Sequence, residues 1–188
     1  MTAQPKASLT YAEYLAREAG ADLKHEFVNG DVYARAGGTR EHGAITAALV
    51  RIIGAALQGK ACRVFSSDVR VRVESTGGGF YPDLSVVCGK LETPSDDPQA
   101  IANPLVLVEV LSDGTEAYDR GAKAGHYRRL KSLREYVLAS QSERRIEVQR
   151  LNEHGTWELH FFGPGEQVEL SSCGISFALD PVYAYPLG

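Results

Sequence analysis

The 188-residue chain lacks a long hydrophobic run, a cysteine-rich pattern and a large excess of charge of one sign. Its apolar stretches are strand-sized, well short of the roughly 20 residues that a membrane-crossing helix needs. The N-terminus has no charged start followed by an apolar run, so no signal peptide is predicted. We therefore expect a cytoplasmic protein. The net charge of −4 argues against an overall basic surface for nucleic acid, but it allows a local basic strip beside an acidic site.

Cysteine-based and nucleotide-binding signatures are also missing. The three cysteines, Cys62, Cys88 and Cys173, are odd in number, far apart and without a CxxC pair, so neither a disulfide framework nor a zinc site is predicted. Cys62 and Cys88 lie in apolar, strand-like segments and are expected to be small core residues. No P-loop, dinucleotide-binding glycine pattern, GxSxG or HExxH motif is present. Walker-type, Rossmann-type, serine and zinc hydrolase chemistry are therefore disfavoured.

What is present is the composition and patterning of one α/β domain, which we take to span residues 1–188. Apolar residues make up 44% of the chain and charged residues 23%, as in globular proteins. An Asn-Gly pair between alternating apolar residues predicts a hairpin over 25–34. Periodicity predicts helices over 8–19, 41–57 and 119–130, strands over 61–73, 81–90 and 104–112 with a loop over 75–79, and four further strands in the C-terminal part. This order predicts a mixed sheet flanked by helices.

One acidic residue does not fit a simple core. Glu109 lies within PLVLVEVLS, the most hydrophobic strand, where an ionised carboxylate costs several kcal/mol unless it is paired or binds a metal. Asp83 opens a preceding strand, and if the two strands are neighbours, both carboxylates can bind one hard cation such as Mg²⁺. The alternative is that Glu109 pairs with an arginine, such as Arg70 or Arg72, and that Asp83 only starts a turn.

An ordered set of motifs carries a family resemblance. HEFVNGDVYA, a helix beginning REHGAI, FSSDVRVRV, YPDLSVV, LVLVEVLSDGTEAYDRGAKAGHYRRL and REYVLA follow one another from about Leu9 to the closing CGISFALDPVYAYPL. This series resembles the Uma-type restriction endonuclease family of the PD-(D/E)XK nuclease superfamily. The resemblance implies a restriction-endonuclease-like core with additional antiparallel C-terminal strands. It also implies hydrolysis of DNA phosphodiester bonds with Mg²⁺ or Mn²⁺.

The resemblance assigns roles residue by residue. Asp83 and Glu109 match the two acidic residues of the superfamily motif, and Glu26 matches an acid supplied by an early element as a further metal or water ligand. The superfamily places a lysine two residues after the second acid, but here that residue is Leu111. The resemblance implies that Lys123, in the following helix, takes over its role. An exposed hairpin position for Glu26 and an ordinary helix ion pair between Lys123 and a residue four earlier remain open.

Other residues are candidates for contacting DNA. His42 lies near the start of the long helix, where backbone N–H groups favour phosphate, although a surface histidine satisfied by its neighbours is an equal possibility. Arg120 and Arg128 belong to a basic group that could contact the nucleic-acid backbone or simply be solvated. Asp68 shares its predicted strand face with arginines, which favours a structural salt bridge. Cutting both strands of a duplex would favour a homodimer.

Two alternatives to a nuclease remain at the level of sequence. The missing lysine at position 111 is compatible with a catalytically silent nuclease fold that binds nucleic acid or a protein partner. A hydrolase that uses Glu109 and Asp83 as acid and base on a small substrate is the second alternative.

Overall fold

The structure is a computed structural model and describes residues 8–35 and 37–184, so the predicted domain of residues 1–188 extends beyond the described part at both ends. The α-helices are α1 (Tyr11–Glu18), α2 (Arg40–Ala56), α3 (Glu116–Tyr118) and α4 (Ala124–Tyr127), and a π-helical segment (Asp119–Lys123) joins the last two. The strands are β1 (His25–Val28), β2 (Asp31–Ala34), β3 (Cys62–Ser66), β4 (Val71–Val73), β5 (Gly78–Phe80), β6 (Leu84–Cys88), β7 (Val106–Leu111), β8 (Glu135–Ser140), β9 (Ile146–Leu151), β10 (Trp157–Phe162), β11 (Gln167–Leu170) and β12 (Ile175–Ala178). Short 3₁₀ helices occupy Glu74–Thr76, Ser171–Cys173 and Asp180–Val182.

The central sheet has six strands in the order β10-β9-β8-β7-β6-β3. Strands β7 and β8 run parallel, joined by the α3–α4 helical connection, while every other pair in this sheet is antiparallel. A four-stranded antiparallel sheet, β2-β1-β5-β4, and the β11–β12 hairpin complete the architecture. The predicted mixed α/β fold with antiparallel C-terminal strands is confirmed.

Two hydrophobic clusters cover opposite faces of the central sheet. Successive residues of a strand point to opposite faces, and β7 is buried on both. Val106, Val108 and Val110 join a cluster with α2 and the β11–β12 hairpin. Leu107 and Leu111 join the other cluster, with β4, β5 and α4. Glu109 lies midway between Leu107 and Leu111, two residues from each. Its side chain therefore points to the same face as theirs, which α4 covers.

Local sequence accounts for the helix starts and the first turn. Thr10 and Glu13 form a reciprocal capping box at the start of α1, and Thr39 caps α2 by accepting a hydrogen bond from the backbone N–H of His42. The predicted hairpin is present as β1 and β2, with Asn29 and Gly30 both at positive φ, as a tight two-residue turn requires.

Three local predictions were wrong. Five strands, β8 to β12, occupy the C-terminal part where four were predicted, because β12 was missed. Residues 61–73 do not form one strand: β3 belongs to the central sheet, and β4 pairs with β5 in the other sheet after a turn. The predicted loop over 75–79 contains a 3₁₀ turn and the start of β5. Alternation of apolar residues continues through the break, because β4 also buries valines, at Val71 and Val73, but against a different set of neighbours. Periodicity alone does not distinguish the two sheets.

The expectation for the cysteines also needs correction. Cys62 and Cys88 pack against the α2-side cluster, as expected for small apolar residues, but they face each other across the β3–β6 pair and form a disulfide. Cys173 is free and buried. Sequence spacing did not reveal the pair because the register of two antiparallel strands brings the two residues together. Within the described parts of the chain, no helix has the length and apolarity needed to span a membrane.

Candidate active site

The two predicted acids lie side by side in the central sheet. Strands β6 and β7 are antiparallel neighbours, with Leu84 opposite Val108, so the residue before Leu84 lies next to the residue after Val108. Asp83 and Glu109 are those residues, and both side chains are buried. Asp83 also accepts a hydrogen bond from the backbone N–H of Val110, at 2.8 Å. The condition that the two acidic strands be neighbours is therefore met.

Lys123 reaches the same point from the helical connection between β7 and β8. Its Nζ lies 2.8 Å from Glu109 Oε1 and 2.9 Å from Glu26 Oε1. It also lies 3.6 Å from Asp119 Oδ1, four residues earlier. The predicted helix ion pair and the contact with the acidic site therefore exist together, without movement of the lysine. Asp119 and Lys123 are the first and last residues of a π-helical segment, a feature found often at functional sites.

Glu26 is a buried member of the site. The β1–β2 hairpin packs on β5, with Phe27 opposite Gly79, and this contact places Glu26 beside the chain that leads from β5 into β6. Its Oε1 accepts a hydrogen bond from the backbone N–H of Tyr81, at 3.3 Å, in addition to the contact with Lys123. The alternative of an exposed hairpin glutamate does not hold, because only 5% of this residue is exposed.

Asp83 is held by two further basic side chains. Arg35 Nη2 donates to Asp83 Oδ1 at 2.9 Å, and His42 Nε2 lies 3.2 Å from Asp83 Oδ2. Burial alone would raise the pKa of Asp83, but the hydrogen bond with His42 and the positive charge of Arg35 outweigh it and lower the pKa to about 2. Asp83 is therefore an anion throughout the physiological pH range. His42 lies in the site and not at an unrelated surface.

Glu109 behaves in the opposite way. Complete burial raises the pKa of Glu109 to about 8, against the opposing effect of the Lys123 charge. Tyr127 donates its hydroxyl hydrogen to Glu109 Oε1 at 2.8 Å. Burial would lower the pKa of Lys123, but the charges of Glu109 and Glu26 outweigh it and raise that pKa above its ordinary value. We therefore assign the positive charge to Lys123 and the extra proton of the metal-free cluster to Glu109.

The charges of the site do not cancel. Two permanent cations, Arg35 and Lys123, lie among four carboxylates that act on one another electrostatically, Glu26, Asp83, Glu109 and Asp119. When every acid is ionised, the cluster has an excess of two negative charges. In a buried site such an excess must be balanced by protons or by a bound cation. The raised pKa of Glu109 shows that, without a bound cation, this carboxylate takes up a proton and removes part of the excess charge.

The donor set suits a hard divalent cation in type and in charge. Carboxylate oxygens are the ligands that Mg²⁺ and Mn²⁺ prefer, and a charge of +2 would balance the excess. The present arrangement is not a finished metal cage, because no group of three or more metal-ligating side chains is clustered for coordination within residues 8–35 and 37–184. Arg35, His42 and Lys123 instead occupy carboxylate oxygens. A cation held by Asp83 and Glu109 would have to displace at least one of these partners.

The arginine partners considered for Glu109 are engaged elsewhere. Arg70 makes two hydrogen bonds to Asp97, at 2.8 and 2.9 Å, and Arg72 pairs with Asp96 at 2.8 Å. Both aspartates come from the connection between β6 and β7. In the described structure, the cation that contacts Glu109 is therefore Lys123.

The other candidate residues lie outside this cluster. Arg120 binds both carboxylate oxygens of Glu147, at 2.7 Å from Nη2 to Oε1 and 2.5 Å from Nη1 to Oε2, and also pairs with Glu116. Arg128 donates to Gln149 and lies over the Trp157 ring. Asp68 forms an exposed ion pair with Lys24, so the expected salt bridge exists but with a different partner, because this residue lies in the turn between β3 and β4. The residue that sequence patterns missed is Arg35, whose signal was its place at the end of the hairpin that carries Glu26.

The fold of the chain, a mixed central sheet with flanking helices, matches that of a solved structure. The crystal structure of a "putative nuclease belonging to DUF820" from Anabaena variabilis ATCC 29413 has a similar fold, with a TM-score of 0.74 over 92% of this chain and 96% of that chain, at 16% sequence identity.

Sequence comparisons identify the family. The family model of Uma2, described as "Putative restriction endonuclease", matches residues 11–180, and the chain belongs to this family. Two relatives come from Synechocystis sp. (strain ATCC 27184 / PCC 6803 / Kazusa). Uncharacterized protein slr1290 is 35% identical over 179 residues, which cover 95% of this chain and 93% of the relative. Uncharacterized protein sll1609 is 31% identical over 164 residues, covering 87% and 93%.

Proposed function

We propose that this chain is a metal-dependent endonuclease that hydrolyses phosphodiester bonds in DNA. The observation that carries the proposal is the meeting of two buried acids from neighbouring strands, Asp83 and Glu109, with a buried lysine, Lys123. Membership of a restriction endonuclease family supports a nuclease, and restriction-endonuclease-like families generally use divalent metals. Asp83 and Glu109, with Glu26 as a further ligand, would hold Mg²⁺ or Mn²⁺.

The residues of the site would act by binding and orienting. A bound divalent cation would supply charge stabilisation and a water molecule of lowered pKa. In hydrolysis, a water molecule loses a proton to solvent as its oxygen forms a bond to phosphorus. The bond from phosphorus to the leaving sugar oxygen breaks, and that sugar oxygen takes up a proton from solvent. Lys123, fixed by Glu26 and Asp119, would orient the water or offset negative charge that develops on the phosphoryl group.

The remaining assignments belong to the same proposal. His42 would contact DNA beside Asp83, and Arg120 and Arg128 would contact the backbone, once Arg120 exchanged its glutamate partners for phosphate. We further propose that the chain acts in the cytoplasm as a single restriction-endonuclease-like domain, and that a homodimer cuts the two strands of a duplex.

The test is cleavage of plasmid and single-stranded DNA with Mg²⁺ or Mn²⁺. Wild-type protein should nick or cut DNA, and Asp83→Asn and Glu109→Gln should each abolish the activity. The matched control is Glu135→Gln, because Glu135 is equally buried but pairs with Arg150 and lies on the other face of the sheet from Glu109. That variant should retain cleavage in proportion to its folded fraction.

Two results would contradict the proposal. If folded wild-type protein leaves both kinds of DNA intact with both metals, the proposed endonuclease activity is excluded. Gel-shift binding without cleavage, unaffected by Asp83→Asn and Glu109→Gln, would instead support a silent nuclease fold that binds DNA.

A further inference from the structure

We propose that Arg35 is a phosphate-binding residue of this site, which donates hydrogen bonds to a non-bridging oxygen of the phosphodiester group to be cut. The inference rests on the proposed nuclease function and adds to it a substrate ligand that neither family membership nor the structural likeness assigns. It starts from the position of Arg35. This residue directly follows β2, and its backbone N–H donates to the carbonyl of Lys24, which fixes the end of the hairpin.

The Arg35 side chain points into the acidic cluster. One Nη donates to the backbone carbonyl of Tyr81, and the other donates to Asp83 Oδ1 at 2.9 Å. Burial alone would lower the pKa of Arg35, but the charges of Glu109 and Asp83 keep the pKa above its ordinary value. Arg35 is therefore a permanent cation within reach of the fields of both predicted metal ligands.

The two cations of the site differ in what they can still bind. Lys123 has three N–H donors, and its Nζ already faces three carboxylate oxygens, with a side chain only 4% exposed. Arg35 has five N–H donors, of which two are engaged by partners within the described residues. Its side chain is 24% exposed. An incoming ligand can therefore reach Arg35, whereas Lys123 is enclosed.

A phosphodiester needs such a group here. Four carboxylates repel an approaching anion, and one bound divalent cation would only balance their excess charge. A planar guanidinium presents paired donors that match phosphate oxygens, and it holds them more firmly than an ammonium group does. If the cation takes the place of Arg35 at Asp83 Oδ1, metal binding also frees an Nη donor for the phosphate.

The experiment compares Arg35→Met, Arg35→Lys and the control Arg51→Met, which removes an exposed arginine from α2. A labelled DNA duplex is titrated with protein in Ca²⁺ by fluorescence anisotropy, across a range of salt concentrations. Arg35→Met should weaken binding about 10-fold and reduce the slope of log K against log salt by about one, the signature of one lost phosphate contact. Arg35→Lys should restore the slope but not the cleavage rate, and Arg51→Met should change neither.

Calorimetry with Mn²⁺ alone separates phosphate binding from a structural role. Arg35→Met should bind Mn²⁺ at least as tightly as wild type, because a competitor for Asp83 is gone. Loss of Mn²⁺ binding together with duplex binding would show that Arg35 only maintains the site, and would overturn the inference. Wild-type duplex affinity and salt slope in Arg35→Met would also overturn it, while leaving the nuclease proposal intact. A wild-type protein that neither binds nor cuts DNA would overturn both.

Discussion

Replacement of Lys123 by methionine tests the electrostatics of the buried cluster most directly. Methionine is of similar length but apolar, so Glu26, Glu109 and Asp119 lose the cation they share. These side chains are at most 7% exposed, so solvent screens them little. Removal of one partner from a buried ion pair costs about 3–5 kcal/mol. We expect Lys123→Met to lower the free energy of unfolding of the metal-free protein by this amount.

The measurement is urea-induced unfolding followed by circular dichroism at pH 9, with a chelator present. This pH lies above the pKa of about 8 of Glu109 in the wild type, so the wild-type carboxylate is mostly ionised. Adding Glu109→Gln to Lys123→Met should recover about 1–3 kcal/mol, since one of the orphaned charges is removed.

Lys24→Met is the matched control. Lys24 and its partner Asp68 are 40% and 76% exposed, so loss of this ion pair should cost less than about 1 kcal/mol. If Lys123→Met costs no more than Lys24→Met, the cluster is not an electrostatically coupled unit, and the charge argument for a metal site fails with it.

Three further predictions concern the scaffold. Asp97→Asn should lower the free energy of unfolding at pH 7, measured by calorimetry, by about 3 kcal/mol. Burial raises the pKa of Asp97, but hydrogen bonds to Arg70 and a tyrosine outweigh it and lower the pKa, so the stabilisation is present above about pH 4 and is lost as the pH falls below it. Gly30→Ala should lower the free energy of unfolding by more than about 1 kcal/mol, because Gly30 has a φ of 86° and a Cβ there would lie 1.9 Å from a serine oxygen; unchanged urea midpoints would refute this. When the protein is purified without reductant and denatured, an alkylating reagent should label one of the three cysteines before reduction and all three after it, since Cys62 and Cys88 form a disulfide. Three labels without reductant would show that Cys62 and Cys88 are free thiols.

The sequence by itself determined the elements with strong local causes. The Asn29-Gly30 turn, the capped helices α1 and α2 and the apolar run of β7 follow from positive-φ preferences, side-chain caps and burial on both faces. The anomaly of Glu109 was also visible without a structure, because a charge within so apolar a strand demands a specific partner. That anomaly, with the order of motifs, was enough to indicate the family.

Only the tertiary structure decided which groups meet at Glu109. Lys123 comes from the helical connection that directly follows β7, whereas Glu26, which shares this lysine, comes from the distant β1–β2 hairpin. No periodicity encodes the packing of one element against another. The pairing of β6 with β7 brought Asp83 beside Glu109, and the π-helical segment carries Lys123, whose side chain is buried. The place of Arg35 depends on the packing of the β1–β2 hairpin on β5 and on the path from β5 to Asp83. Long-range pairing is set by the sum of many weak contacts, so these neighbours emerge only when the whole core is assembled.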